Sequence, residues 1–226
     1  MERLGPRPGL RWLDVATGTG EVALRAARAG AEVTALDISP RLLGEARRRA
    51  GAEDLSIGFD LGDAQELPYE DGGFDVVTSS FGVIFAPDRS AVARELGRVC
   101  RPRGRLGLTT WLPKPALTRL YERFQERPPA AESEAWGREE EVRGLLGRSF
   151  ELETSTGTWA LEGESPEAVY EFMADAAPPI AAFLGTLAAE RRDEFREAFL
   201  EYWRGFEVEE GVREPREYLL VLGTRR

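Results

Sequence analysis

The chain has 226 residues, 42% hydrophobic and 31% charged, with 40 acidic against 30 basic side chains and a net charge of −10. That length suits one α/β domain with a full core, the acidic balance argues against binding phosphate backbones, and no apolar run approaches the ~20 residues needed to span a bilayer. There is no histidine and one cysteine, Cys100, which excludes a Ser-His-Asp triad, a histidine base, the usual zinc sites and an internal disulfide.

Met1 to Gly9 is short, rich in proline and glycine, and lacks the apolar core of a signal peptide, so a cytoplasmic setting is expected. Leu13-Asp14-Val15-Ala16-Thr17-Gly18-Thr19-Gly20 then reads as a strand, predicted over 11–16, running into a glycine turn, with a helix over 20–29. The strand's apolar residues do not alternate, as expected of a parallel strand covered on both faces. Gly18 and Gly20 tolerate positive φ and let a ligand approach the backbone, although a tight strand-to-helix turn in any α/β protein needs the same glycines. A second strand over 32–36 ends at Asp37, seventeen positions after Gly20. There a carboxylate can accept hydrogen bonds from both hydroxyls of a ribose, and it can equally cap the helix that begins at Ser39-Pro40. Gly18-x-Gly20-x-x-Ala23 also fits the dinucleotide pattern, which keeps an NAD-dependent oxidoreductase in competition.

Further strands are predicted over 55–59, 74–79 and 104–111, with helices over 40–50 and 88–100, and this alternation argues for a doubly wound parallel sheet. Arg47-Arg48-Arg49 stands among Glu45, Glu53 and Asp54 and reads as a solvated helix face. Cys100 reads as a buried packing residue before the fifth strand. Glu126 to Glu141, rich in proline, alanine and glutamate, is the best candidate for a mobile loop. The last two strands are expected over 150–160 and 217–223.

Between them, residues 161–214 form a helical insertion. Its helices start at Ser165-Pro166-Glu167, with Val169, Phe172 and Met173 on one face, and at Pro178-Pro179, with Ile180, Phe183, Leu184 and Leu187. A third carries Phe195, Phe199, Tyr202 and Phe206, and Glu190 to Glu194 is expected to break or bend the run. Such apolar stripes read as core, as an aromatic-lined cover over a substrate, or as a dimer contact.

Gly62-Asp63-Ala64-Gln65-Glu66-Leu67-Pro68, Phe74-Asp75-Val76-Val77-Thr78-Ser79-Ser80-Phe81-Gly82 and Arg98 to Leu108, taken with the opening strand, resemble the class I S-adenosylmethionine-dependent methyltransferases. The small-molecule branch of that family is the most similar, over residues 10 to 111, and the last strand more loosely. The resemblance implies a Rossmann-like seven-stranded sheet in the order 3-2-1-4-5-7-6 with an antiparallel last strand, and S-adenosylmethionine as cofactor with S-adenosylhomocysteine as product. It implies a cofactor site made of Asp14, Ala16, Thr17, Gly18, Gly20, Asp37, Ile38, Asp63, Ala64, Ser79 and Ser80. The methionine part would lie near the backbone of Ala16 to Gly20 and the ribose on Asp37. Ile38 would pack on the adenine, Asp63 would accept from its amino group, the Ala64 amide would meet a ring nitrogen, and Ser79 or Ser80 would contact the cofactor's amino group. Asp63 also suits a turn cap, and Ser79 and Ser80 suit a strand end.

Arg103 replaces a glycine usual in the family's Pro-Gly-Gly turn, and with Gly104 kept the turn is expected to survive. Relatives carry one or two helices upstream of the first strand that fold over the cofactor; here the expectation is a lid supplied from elsewhere, a truncated chain or an open site. Methyl transfer needs no histidine, because the sulfonium is already activated and alignment supplies most of the catalysis. No general base and no metal ligand is singled out. The reading is therefore a single-domain methyltransferase over residues 1–226 acting on a small, apolar acceptor, with no nucleic-acid or membrane partner and a homodimer as one use of its surface. A non-catalytic cofactor-binding module on the same fold is the remaining alternative.

Overall fold

The computed structural model describes residues 2–124, 135–176 and 178–226. The chain divides into two compact units, Met1–Thr110 with Glu139–Ser155 and Leu219–Arg226, and Trp111–Arg138 with Thr156–Tyr218. In chain order the described elements are β1 (Arg11–Val15), α1 (Glu21–Arg28), β2 (Glu32–Asp37), α2 (Pro40–Ala52), β3 (Ile57–Leu61), β4 (Phe74–Ser80), α3 (Arg89–Val99), β5 (Cys100–Trp111) and α4 (Pro115–Glu122). They continue as α5 (Glu139–Leu146), β6 (Phe150–Gly163), α6 (Pro166–Ala176), α7 (Pro178–Thr186), α8 (Ala189–Arg204), β7 (Glu207–Val208) and β8 (Gly211–Arg225). The sheet order is β3-β2-β1-β4-β5-β8-β6, with β7 paired to β8. With the two-residue β7 set aside, this is the expected order 3-2-1-4-5-7-6 with its antiparallel last strand; the insertion's helices run from Pro166 to Arg204 rather than through 161–214, because β6 continues to Gly163 and the last strand starts at Gly211 rather than 217.

β1 lies at the centre of the first unit, parallel to β2 on one side and β4 on the other. Trp12, Leu13 and Val15 are wholly buried, as the unbroken apolar run requires of a strand covered on both faces. Ala23 and Ala26 of α1 pack in one cluster with Trp12, Val33, Ala35 and Val76, their small side chains letting the helix lie close to the sheet. The polar signals at helix starts act as read: the Ser39 hydroxyl accepts from the Leu42 amide at 3.3 Å ahead of Pro40, and the Ser165 hydroxyl accepts from the Ala168 amide at 3.1 Å ahead of Pro166.

Several boundaries move. The third strand begins at Ile57 rather than 55, because the Leu55 amide bonds Ala50 O at 3.0 Å and belongs to the turn that ends α2. β5 begins early, at Cys100, which pairs with Phe74 before the register shifts; Arg103 accepts the left-handed φ of 62° that a glycine would have taken. Gly104 is the residue the turn cannot lose, since a Cβ there would meet Cys100 Sγ at 2.7 Å and Arg101 O at 2.8 Å. Cys100 is buried, and burial pushes its thiol up to about 12, so it is a packing residue. Of the loop expected over Glu126 to Glu141, residues 126–134 lie outside the described residues. Glu139, Glu140 and Glu141 open α5, where acids favour the helix N-terminus. The acids Glu190 to Glu194 lie inside α8, and the break falls before it, at Leu187 and Ala188.

In the second unit, α4, α6, α7 and α8 surround Phe195, whose ring centroid stands 4.9 Å from Phe183, 5.3 Å from Tyr121 and 5.3 Å from Phe124. On α6 the buried face runs through Val169, Tyr170 and Met173, which leaves Phe172 exposed rather than packed with Val169. Glu214 is fully buried on β8 and accepts from Lys114 Nζ at 2.5 Å, from Arg216 Nε at 2.5 Å and from the Tyr202 hydroxyl. Burial alone would raise its pKa; the Arg216 charge and the bonds from Lys114, Tyr202 and Arg216 bring it below the usual glutamate range.

Because Phe195 is the hub of the helical core, Phe195→Ala is expected to cost about 3 to 5 kcal/mol in urea unfolding, against under ~1.5 kcal/mol for Phe195→Leu.

Candidate functional site

The strands of the first unit deliver their loops to one edge of the sheet, past the carboxyl ends of β1, β2, β3 and β4, which is where open α/β sheets bind ligands. Past β1 the chain leaves the sheet at Ala16, a non-glycine residue with φ 53°, and continues through Gly18 (φ 58°) to Gly20 (φ 85°), which opens α1. Past β4, Phe81 also takes a left-handed φ, 56°. Such residues cost of order 1 to 3 kcal/mol each and cluster at functional sites. The two strained positions follow neighbouring parallel strands, in which Asp14 stands opposite Thr78.

Gly82 explains how the two loops fit together. A Cβ at Gly82 would lie 2.5 Å from Ala16 Cβ, 2.6 Å from Ala16 O and 3.2 Å from Ser79 Oγ, so only glycine lets the β4 loop back onto the glycine turn. Ser79 is buried, and its hydroxyl accepts from the Val83 amide at 3.1 Å, fixing the 3-10 turn Val83–Phe85. Ser80 is exposed, and its hydroxyl pairs with Thr109 Oγ1 of β5 at 2.9 Å.

Beneath the turn lies a chain of hydrogen bonds. Trp12 Nε1 donates to Thr78 Oγ1 at 2.9 Å, and the Thr78 and Thr17 hydroxyls donate to the two Asp14 oxygens at 2.8 and 2.6 Å. Asp14 is 2% exposed, and its desolvation raises the carboxyl from 3.8 to about 6; the bonds from Thr17, Thr78 and Ala23 restrain that rise, and the charge of Asp37 adds to it.

Asp37, buried at the end of β2, accepts from the Gly18 amide at 2.8 Å through one oxygen and from the Ser39 amide at 2.9 Å through the other. The turn is also held by Thr17 N to Leu36 O at 3.0 Å, and the Asp37 carbonyl accepts from Gly62 N at 3.0 Å, which ties in the loop past β3. In that loop Asp63 accepts from Gln65 N at 2.9 Å and from Gln65 Nε2 at 2.8 Å, so the turn-cap reading of Asp63 is realised. Ala64 is buried. Ile38, next to Asp37, is 65% exposed, and Leu61, paired with Asp37 across the sheet, is 61% exposed. A buried carboxylate with spare lone pairs beside two bare aliphatic side chains suits a ligand that is polar on one side and flat and apolar on the other.

Two supports escaped the sequence reading. Gly82 stood in a recognised segment with no role assigned. Arg49 reads from sequence as part of a solvated face, yet its guanidinium donates to Thr19 O at 3.0 Å, to Thr19 Oγ1 at 3.2 Å and to Glu21 at 2.8 Å, bracing the glycine turn from α2. Arg48, by contrast, pairs with Glu45 on the surface as expected.

A family model described as a methyltransferase domain matches residues 13–104. An uncharacterized protein of Mycobacterium tuberculosis, Rv1405c, is 36% identical over 235 residues, covering 98% of this chain and 84% of its own. The ubiquinone/menaquinone biosynthesis C-methyltransferase UbiE of a Ruegeria species is 42% identical over 130 residues, 55% of this chain and 52% of that protein. Among solved structures, the YcgJ protein of Bacillus subtilis superposes with a TM-score of 0.71 at 19% identity, covering 100% of this chain and 95% of the other. At that identity the likeness concerns the fold.

Gly82→Ala is expected to lower stability by about 1 to 3 kcal/mol, read by thermal unfolding, because either Ala16 or the β4 loop must give way. For Asp14 the folded-state pKa lies above the unfolded one, so its contribution to stability is present below about pH 4 and is lost as pH rises through about 6. The stability of Asp14→Asn relative to the wild type should therefore rise by up to about 3 kcal/mol across that window. A difference that does not vary with pH would contradict a carboxylate buried as described.

Proposed function

The chain belongs to the class I S-adenosylmethionine-dependent methyltransferases, and on that premise we propose that it moves the methyl group of S-adenosylmethionine to a small, largely apolar acceptor. When bound, the cofactor supplies a sulfonium methyl already activated for transfer. The observation that carries the reading is Asp37, a buried carboxylate fixed by the Gly18 and Ser39 amides beside the exposed Ile38.

Each carboxylate oxygen has two lone pairs, so two acceptor positions remain on Asp37 for the hydroxyls of a ribose. Ile38 offers an apolar face for the adenine. The Asp63 side chain accepts from the adenine amino group while keeping its Gln65 bonds, and the Ala64 amide meets a ring nitrogen. The backbone from Ala16 to Gly20, with Thr17, Gly18 and Gly20 in it, receives the methionine end. Asp14 acts from beneath that turn through Thr17, and Ser79 and Ser80 contribute at the end of β4.

The chain's part in the chemistry is alignment. Orientation of two bound reactants is worth ~7 to 11 kcal/mol, which suits a protein without histidine. The helices of the insertion, α6 to α8, are proposed to supply the acceptor's apolar surroundings, and the exposed Phe172 of α6 supports that. The similarity to UbiE supports a small-molecule acceptor, and the net charge of −10 speaks against a nucleic-acid one. A cytoplasmic setting suits the single thiol at Cys100.

Calorimetric titration tests the site. S-adenosylmethionine and S-adenosylhomocysteine are expected to bind in the micromolar range, at least tenfold more weakly to Asp37→Ala and more weakly to Asp63→Ala. Binding of NAD with no heat from either adenosyl ligand would overturn the proposal.

A further inference from the structure

The first unit holds an open recess built from other elements than the glycine turn. It has a volume of about 770 Å³ and lies between the outer face of α3, the end of α5 and Arg225 of β8, near the entrance of β5 rather than the strand ends that carry the candidate cofactor site. Its volume is in the range of small-molecule sites.

Its charge is the reverse of the protein's. In a chain with 40 acidic and 30 basic residues, four arginines line this cavity, Arg94, Arg98, Arg148 and Arg225, against one carboxylate, Asp71. Arg98 is spoken for, with ion pairs to Glu95 at 2.6 Å and Asp71 at 2.9 Å. Arg225 is held rigidly but by neutral groups: its Nε donates to Gly97 O at 2.7 Å and its Nη1 to Ser149 O at 3.0 Å. That geometry depends on Gly97, where a Cβ would meet Ser149 Oγ at 2.8 Å. Arg94 and Arg148 are exposed and make no hydrogen bond or ion pair among the described residues. Arg94 stands one helical turn before Arg98, and the Glu95 carboxylate that pairs with Arg98 also feels the charge of Arg94.

We propose that this cavity is a binding site for an oligophosphate anion. Three guanidinium groups that make no hydrogen bond or ion pair to a carboxylate among the described residues, one of them held by two backbone carbonyls, line one recess together with Ser90 and Ser149. Planar guanidinium groups match phosphoryl oxygens in pairs, and several in one recess select for a ligand with more than one charge. Inorganic oligophosphate and the phosphate chain of a nucleotide share that chemistry. The site shares no residue with the candidate cofactor site.

Inorganic triphosphate and ATP, titrated separately by calorimetry at low ionic strength, distinguish the two sources. Saturable binding of triphosphate below about 1 mM is expected, weakened at least tenfold in Arg94→Ala and in Arg148→Ala and weakened by added salt. Tighter binding of ATP than of triphosphate would assign the ligand a nucleoside, and equal binding would assign it to the phosphate chain alone. S-adenosylhomocysteine affinity should be the same in both arginine variants, and triphosphate affinity the same in Asp37→Ala. Absence of saturable binding to the wild type, binding undiminished in both arginine variants, or binding lost in Asp37→Ala would each overturn the proposal. Both arginines are exposed, so circular dichroism of the variants is expected to match the wild type.

Discussion

A buried carboxylate at the tip of the second strand holds the site together. Asp37 receives the Gly18 amide on one oxygen and the Ser39 amide on the other, while its own carbonyl receives the Gly62 amide, so the loops past β1, β2 and β3 meet at one residue. Hydrogen bonds to a charged acceptor contribute roughly 1.5 to 3 kcal/mol, and here they fix the loops before any ligand arrives. A preorganised site spends less of its binding free energy on ordering itself, which is the advantage of building it on strand ends rather than on free loops.

The same loops carry strain, and the surroundings compensate it. Ala16 and Phe81 hold left-handed backbone conformations that alanine and phenylalanine disfavour. Gly82 allows the close approach that seats one loop on the other, Arg49 ties Thr19 to α2, and the Trp12–Thr78–Asp14–Thr17 chain fills the space beneath with satisfied polar groups. Asp14 pays for that position with a desolvated charge, which is why its proton is held more tightly than in water.

Much of this was legible in the sequence because it is local. A glycine turn between an unbroken apolar strand and a helix, an acid at the next strand's end, and Ser39-Pro40 as a helix start are each read within a few residues. The sheet order follows from the family resemblance rather than from periodicity. What the sequence hid depends on contacts distant along the chain. Gly82 is explained only by Ala16, and Arg49 looks like its neighbours Arg47 and Arg48 until Thr19 is placed beside it. Phe172 follows helical spacing as well as Val169 does, but Tyr170 turns the buried face of α6 away from it. Leu55 is β-like by composition but is consumed by the end of α2, which moves the start of the third strand to Ile57. The arginine recess joins residues from Asp71 to Arg225, and no local pattern announces it.

The central claim is that the loops gathered by Asp37 receive the adenosyl ligand. The most direct measurement is an amide chemical-shift titration of isotope-labelled protein with S-adenosylhomocysteine. The account predicts saturable shifts at Gly18, Ile38 and Ala64, with Gly97 and Gly144 of the arginine recess unmoved. Saturable binding that leaves Gly18 and Ile38 unshifted would contradict it.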